Sequence, residues 1–246
     1  MKLTVIGPWG GYPKVNSASS GYLLEHDGFH LLMDCGSAVL SKLQKYIKPE
    51  KLDAVIISHY HPDHIADIGV LQHALIISKY LNNNINTLPI YGHNEDKHGF
   101  QSLFFDEVSV GVEYKENQEL HIGPFKVTFL RTKHPVPCFA MRIEAGNQIL
   151  VYTADSSYLD SFSSFAADAD ILLCECNLYG DMDGSAAGHM TSFEAGEIAQ
   201  VAGVKHLILT HLPQYGNLEQ LKTEAAAKFS GNIQFAEESL IMDLSN

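Results

Sequence analysis

The sequence predicts an α/β fold, a four-layer αββα sandwich, and three observations carry that prediction. Short apolar segments of strand length alternate with amphipathic segments of helix length along the whole chain. The order of elements runs through strands and helices twice, so two similar β/α halves are expected, each a mixed sheet with helices outside. No linker or low-complexity stretch interrupts the 246 residues, so residues 1–246 read as a single domain.

The elements follow in order. "LTVIG" is a strand, and "GYLLEHDGFHLLMDCG" is a hairpin with Asp27-Gly28 as its turn. Residues 38–47 place Leu40, Leu43 and Ile47 on one helical face. "LDAVIIS" is a buried strand running into His59, and an Ile- and Leu-rich helix follows over 65–82. "LPIYG" is a strand and 99–106 a helical turn. Segment 83–115 is expected to shape a substrate pocket, with "GHNEDKHGF" as its candidate loop. "PFKVTFLRTKH" is a strand that delivers His134. "CFAMRIEAGNQILVYTAD" is a hairpin about Ala145-Gly146-Asn147 that delivers Asp155. A helix over 157–167 precedes the strand "DILLCEC". "TSFEAGEIAQVA" opens with Thr191 and places Glu194 three residues on, the signature of a capping box. "HLILTH" is a strand that delivers His211, and a helix over 217–229 and a terminal hairpin close the chain.

Composition narrows the function classes. The formal charge is −13 and no basic run occurs, which disfavours nucleic-acid backbones as partners. No apolar run approaches the roughly 20 residues needed to span a bilayer, so no membrane is expected. "MKLTVIGPWGGYP" reads as a first strand and not an export signal. Cys35, Cys138, Cys174 and Cys176 are therefore expected to be reduced thiols in a cytoplasmic protein.

The chemistry concentrates in "ISHYHPDHIA". His59, His61, Asp63 and His64 put four metal-ligand side chains into six positions. Unpaired imidazoles and carboxylates crowded together are costly without an ion. Pro62 fits a first helical turn, so Asp63 and His64 project from a helix start, away from His59 and His61. Two adjacent ions are more natural than one, and each needs further protein ligands. His134, Asp155 and His211 each follow an apolar strand and supply them. His59, His61 and His134 are assigned to one ion, Asp63, His64 and His211 to the other, and Asp155 bridges both. Imidazole and carboxylate donors suit Zn2+, with Mn2+ or Fe as alternatives. The remaining histidines outside "AGHMTS" and the Cys174–Cys176 pair are read as packing or surface residues.

"SHYHPDH" resembles the His-x-His-x-Asp-His motif of the metallo-β-lactamase fold superfamily, and the resemblance spans essentially the whole chain. "LLMDCGS" is similar to the family's Asp-Cys-Gly segment, which implies that Asp34 supports the metal ligands from behind. The resemblance implies a hydrolase, because the redox members carry Glu where His61 stands. "SAAGHMTSFEAG" and "LLCECNLY" resemble the branch of the transfer-RNA 3′-processing endonucleases (ribonuclease Z) and the phosphodiesterase of the carbon–phosphorus lyase pathway. In that branch a histidine matching His189 assists catalysis and a glutamate matching Glu175 orients it. The endonucleases insert an RNA-gripping arm between the ligands matching His134 and Asp155. Here those positions are only 21 apart, so transfer RNA is not the expected substrate. "PWGGYPKVNS" lacks the cysteine of the pathway phosphodiesterase's structural zinc site, so that site should be absent.

The expected activity is a dinuclear metal-dependent phosphodiesterase on small or cyclic phosphodiesters. A metal-bridging hydroxide attacks phosphorus, Asp63 orients it and His189 stabilises charge or protonates the leaving oxygen. The alternatives are a thioesterase or lactonase on the same metals, a ribonuclease Z-like RNA 3′-processing endonuclease, and a non-catalytic metal-binding sensor or carrier. The resemblance also implies a homodimer.

Overall fold

The computed structural model describes residues 1–82 and 85–244. The chain forms two compact units, residues 1–115 with 238–246, and residues 116–237. Each is built on a seven-stranded mixed sheet.

In the first unit, β1 (Lys2–Gly7), β2 (Gly21–His26) and β3 (Phe29–Met33) are antiparallel. The β2–β3 turn is Asp27-Gly28, both with positive φ, as the sequence indicates. Helix α1 is only Val39–Leu43, shorter than the expected 38–47. Beyond Leu43 the chain continues in three-residue turns, Lys45 N–H to the Lys42 carbonyl and Tyr46 N–H to that of Leu43. Apolar residues three or four apart suit such turns as well as a helix, so the periodicity could not separate them.

Strand β4 (Ala54–Ile56) is fully buried and parallel to β3. The expected 65–82 helix is two helices, α2 (Pro62–Ile65) and α3 (Ile68–Asn82). They break at Asp67, whose N–H donates to the Cys35 carbonyl and whose carboxylate accepts the Leu40 N–H. Strand β5 (Leu88–His93), helix α4 (Lys97–Gln101) and strand β6 (Ser109–Tyr114) complete this stretch, with β4, β5 and β6 parallel. Residues 83 and 84 of the 83–115 segment lie outside the described residues.

The second unit opens with antiparallel β7 (Glu119–Ile122), β8 (Phe125–Arg131), β9 (Phe139–Ala145) and β10 (Gln148–Tyr152). Gln148 pairs with Ala145, so the β9–β10 turn is the two residues Gly146-Asn147 rather than three. Helix α5 is Ser161–Phe165, shorter than 157–167. Strand β11 (Ile171–Glu175) lies parallel to β10. Helix α6 (Ser192–Ala202) begins with the expected capping box between Thr191 and Glu194. Strand β12 (His206–Thr210), helix α7 (Leu218–Ala226) and strand β13 (Asn232–Phe235) follow.

The expected terminal hairpin does not form. β13 pairs parallel with β12, whereas β14 (Ile241–Asp243) pairs antiparallel with β1 of the first unit. Two short strands near a chain end look like a hairpin in sequence, but each finds an open sheet edge instead. The sheet orders are β14-β1-β2-β3-β4-β5-β6 and β13-β12-β11-β10-β9-β8-β7.

Candidate metal centre

In the first unit, β4 runs out into Ile57 and Ser58 and delivers His59, and His61 precedes the first turn of α2, where Pro62 sits. Pro62 has no N–H to lose there, and α2 carries Asp63 and His64, both buried. His59 Nε2 and His61 Nδ1 are 3.0 Å apart, and His64 Nε2 is 3.5 Å from Asp63 Oδ2. Two donors on one tetrahedral zinc ion stand about 3.4 Å apart, so the spacing within each pair suits a shared ion.

Asp34 organises these ligands. It is fully buried and left-handed, with φ 54°. It accepts the Ser58 N–H (2.8 Å), the Ser58 hydroxyl (2.9 Å) and His64 Nδ1–H (2.7 Å). The single Ser58 proton is thus committed to Asp34, so Ser58 Oγ accepts from His59 Nδ1 at 3.1 Å. One carboxylate thereby fixes the tautomer of two imidazoles, His64 directly and His59 through Ser58. Both present an Nε2 lone pair, the form a metal requires. The neighbours of Asp34 are equally constrained. Cys35 N–H donates to the His64 carbonyl, and a Cβ on Gly36 would sit 1.9 Å from the Asp63 carbonyl oxygen. Gly11 N–H donates to Asp63 Oδ2 at 2.6 Å. Ser58 and Gly11 escaped the sequence reading. Adjacency to His59 was the one signal for Ser58, and nothing marked Gly11.

In the second unit, His134 follows β8, Asp155 follows β10 and His211 follows β12. Asp155 Oδ2 lies 3.3 Å from His211 Nε2 and 3.9 Å from His134 Nε2, so one carboxylate oxygen faces two imidazoles. Burial pushes the His134 pKa down, although Asp155 and the Gly188 carbonyl act the other way, and so favours the neutral, ligating ring. His134 Nδ1–H donates to the Gly188 carbonyl at 2.9 Å, which leaves Nε2 as the lone-pair nitrogen. Ala154 and His211 adopt left-handed φ of 51° each, a conformation that costs non-glycine residues about 1–2 kcal/mol. Strained backbone of this kind gathers where a structure holds functional side chains.

His189 lies between these ligands. Its ring stacks on His211, with centroids 5.2 Å apart, and stands edge-on to His134 at 5.4 Å. Its Nδ1–H donates to Glu175 Oε1 at 2.9 Å. Glu175, His189 and His211 bring potential ligand atoms within 4.8 Å of one another. Glu175 is nonetheless a holder rather than a ligand. It is fully buried, and its oxygens also accept the Ser156 N–H (2.8 Å), Met190 N–H (3.2 Å) and Asn177 N–H (3.3 Å). Four donors fill the acceptor capacity of a carboxylate.

Gly188 is a further residue that the sequence did not single out. Its φ is 78°, and a Cβ there would lie 2.7 Å from His134 Nδ1 and 2.5 Å from Pro135 Cδ. Gly188→Ala is expected to strain the backbone by about 1–2 kcal/mol and to push His134 off its anchor. The checks are a lowered melting temperature and a bound-metal content below that of the unmodified protein.

Comparison with known proteins fixes the family. Residues 30–212 match the family described as the β-lactamase superfamily domain. The chain belongs to the β-lactamase superfamily. Within the superfamily it is 53% identical over 243 residues to the "Probable metallo-hydrolase YhfI" of Bacillus subtilis, with 99% of this chain and 100% of that protein aligned. The crystal structure of YhfI, described as a metallo-β-lactamase fold protein, superposes with a TM-score of 0.97 over 98% of each chain. Ribonuclease Z of Archaeoglobus fulgidus is 26% identical, with 99% of this chain and 98% of that protein aligned. A diphosphatase of the PhnP family shares the fold at a TM-score of 0.79 and 17% identity, with 99% and 98% of the chains covered. The expected α/β metallo-β-lactamase fold and its neighbourhood are both borne out.

Proposed function

We propose that this β-lactamase superfamily protein is a dinuclear metal-dependent phosphodiesterase acting on small or cyclic phosphodiesters. In this reading His59, His61 and His134 hold one divalent ion, Asp63, His64 and His211 hold the other, and Asp155 bridges them. Zn2+ suits these donors, and Mn2+ and Fe share their preference for imidazole and carboxylate. The similarity to a protein named as a probable metallo-hydrolase supports hydrolysis. Bound divalent ions of this kind act as Lewis acids and lower the pKa of water towards neutrality.

The rest of the chemistry belongs to the chain's own side chains. Asp63, held through Oδ2 by Gly11, is placed to orient the attacking oxygen. His189 is fixed through Nδ1, so Nε2 is the atom that holds a proton for the leaving oxygen or bonds a phosphoryl oxygen.

The observation that carries phosphodiesters over thioesters is the His189–Glu175 pair beside His211. A phosphodiester expels an alkoxide that needs a proton, where a thioester expels a thiolate that does not, and a fixed imidazole supplies it. The likenesses to ribonuclease Z and to a PhnP-family diphosphatase support the same choice. A small substrate agrees with the two-residue β9–β10 turn, which leaves no RNA-gripping arm between His134 and Asp155. Transfer RNA is therefore not proposed as substrate. Among the described residues no helix is long and apolar enough to cross a membrane. We place the protein in the cytoplasm as a homodimer, in keeping with four buried free thiols and the family resemblance.

The test is a substrate panel on zinc- or manganese-loaded protein: bis-p-nitrophenyl phosphate and 2′,3′-cyclic nucleotides against thioesters and lactones. Turnover confined to the phosphodiesters is expected. Faster turnover of a thioester or lactone would overturn the assignment.

A further inference from the structure

We propose that Tyr60, which stands between the first two metal-site histidines, is a positioning residue. It locks the His59–His61 loop to segment 92–101, so that ion binding by this pair depends on a side chain that ligates nothing. The proposal rests on the metal reading above.

Tyr60 is half-buried, and its hydroxyl donates to the His93 carbonyl at 2.6 Å. Its ring stands edge-on to the buried His93 imidazole, with centroids 4.7 Å apart. His93 is in turn edge-on to Tyr114 at 6.3 Å. The Tyr114 hydroxyl donates to the Ile57 carbonyl at 2.7 Å, and the Ser58 carbonyl lies 3.3 Å away. These contacts close a circuit. It leaves the chain at Ile57 and Ser58, passes through Tyr114 on β6 and His93 on β5, and returns at Tyr60. His59 is the one residue between the two points of attachment, and His61 follows the second.

The two glycines of "GHNEDKHGF" supply the second observation. A Cβ on Gly92 would lie 2.5 Å from the Tyr60 hydroxyl oxygen and 2.7 Å from Leu103 Cδ1, and one on Gly99 would lie 2.3 Å from Tyr60 Cγ. Neither glycine has a left-handed φ, so packing, and not the backbone conformation, requires a missing side chain at both: the phenol ring alone at Gly99, and the phenol with Leu103 at Gly92. Gly99 is not free to retreat, because its N–H and that of His98 both donate to the Asp96 carboxylate at the start of α4. Segment 92–101 is therefore folded around Tyr60. A tyrosine that served only to fill space would not need its hydroxyl on a carbonyl and glycines at both ends of its ring.

The test measures zinc affinity of the full-length protein by competition with a chromophoric chelator, with ions counted by elemental analysis. Melting of the metal-free protein reports folding separately. Gly99→Ala, which displaces the ring, is expected to weaken one of the two ions at least tenfold and leave the other unchanged. Tyr60→Phe keeps the ring, loses one hydrogen bond, and is expected to weaken the same ion about fivefold. Gly92→Ala is expected to weaken that ion, and to cost less when added to Tyr60→Phe, which removes the hydroxyl contact and leaves the one with Leu103. Unchanged affinity for both ions in folded Gly99→Ala, or in Tyr60→Phe should the first variant not fold, overturns the proposal. So does an equal loss of both ions in step with a lowered melting temperature, which marks a purely structural role. Unmodified protein that binds no zinc would instead overturn the metal reading, and the positioning role with it.

Discussion

His189→Ala is expected to lower turnover of a phosphodiester by about 10²–10⁴-fold, the range over which a positioned general acid or base contributes. Bound metal should change little, because the variant removes an imidazole that the proposed ligand sets do not use. The size of the effect follows from how firmly the ring is held. Its Nδ1–H donates to a carboxylate that is fully buried and already accepts three backbone N–H groups. Stacking on His211 sets the ring plane. A side chain held so rigidly loses little entropy when it acts, and in the alanine variant a passing water does not take over that role. The checks are steady-state kinetics with a 2′,3′-cyclic nucleotide, whose leaving alkoxide needs a proton, and elemental analysis of the same sample. Full activity with intact metal content would remove His189 from the mechanism.

Asp155→Ala is the second large effect, and it is expected in metal content rather than in kinetics alone. Asp155 Oδ2 faces the Nε2 atoms of His211 and His134 at 3.3 and 3.9 Å, so its loss removes a donor from both proposed ion sites. At least one ion per chain should disappear by elemental analysis. Thermal melting supplies a second reading, since a ligand that binds only the folded state stabilises it by about 2.7 kcal/mol at a hundred times its Kd. The rise in melting temperature on adding zinc should be clear in the unmodified protein and much reduced in Asp155→Ala. A variant that keeps two ions per chain would refute the bridging role.

Both predictions rest on residues visible in the sequence, and the reason is local. "SHYHPDH" crowds four ligand side chains into six positions, and Pro62 divides them between a loop and a helix start, as the structure shows for α2. His134, Asp155 and His211 end apolar segments that are indeed strands β8, β10 and β12. Strand periodicity and the chemistry of side chains are properties of a few consecutive residues, so they survive reading in one dimension.

Element ends and partners were less legible. The length of α1, the break before α3 and the separate fates of β13 and β14 depend on which distant groups accept a hydrogen bond, such as the Cys35 carbonyl that takes the Asp67 N–H. The residues that hold the ligands were hidden for the same reason. Ser58 matters through Asp34, 24 positions away, and Gly188 through His134, 54 positions away. A serine before a histidine or a glycine before another carries no mark of such service. The left-handed turns at Ala154 and His211 were also invisible, because alanine does not favour that conformation, histidine adopts it only in a minority of positions, and surrounding structure sustains both.

The sequence by itself determined the fold class and pointed to the proposed donor set and acid, since each is written in the types and spacing of neighbouring residues. The tertiary structure alone decided which nitrogen His59, His64, His134 and His189 present, which donors fill the Asp34 and Glu175 carboxylates, and which glycines make room. Those are settled by directional hydrogen bonds and close packing between residues far apart in the chain, which composition and periodicity do not encode.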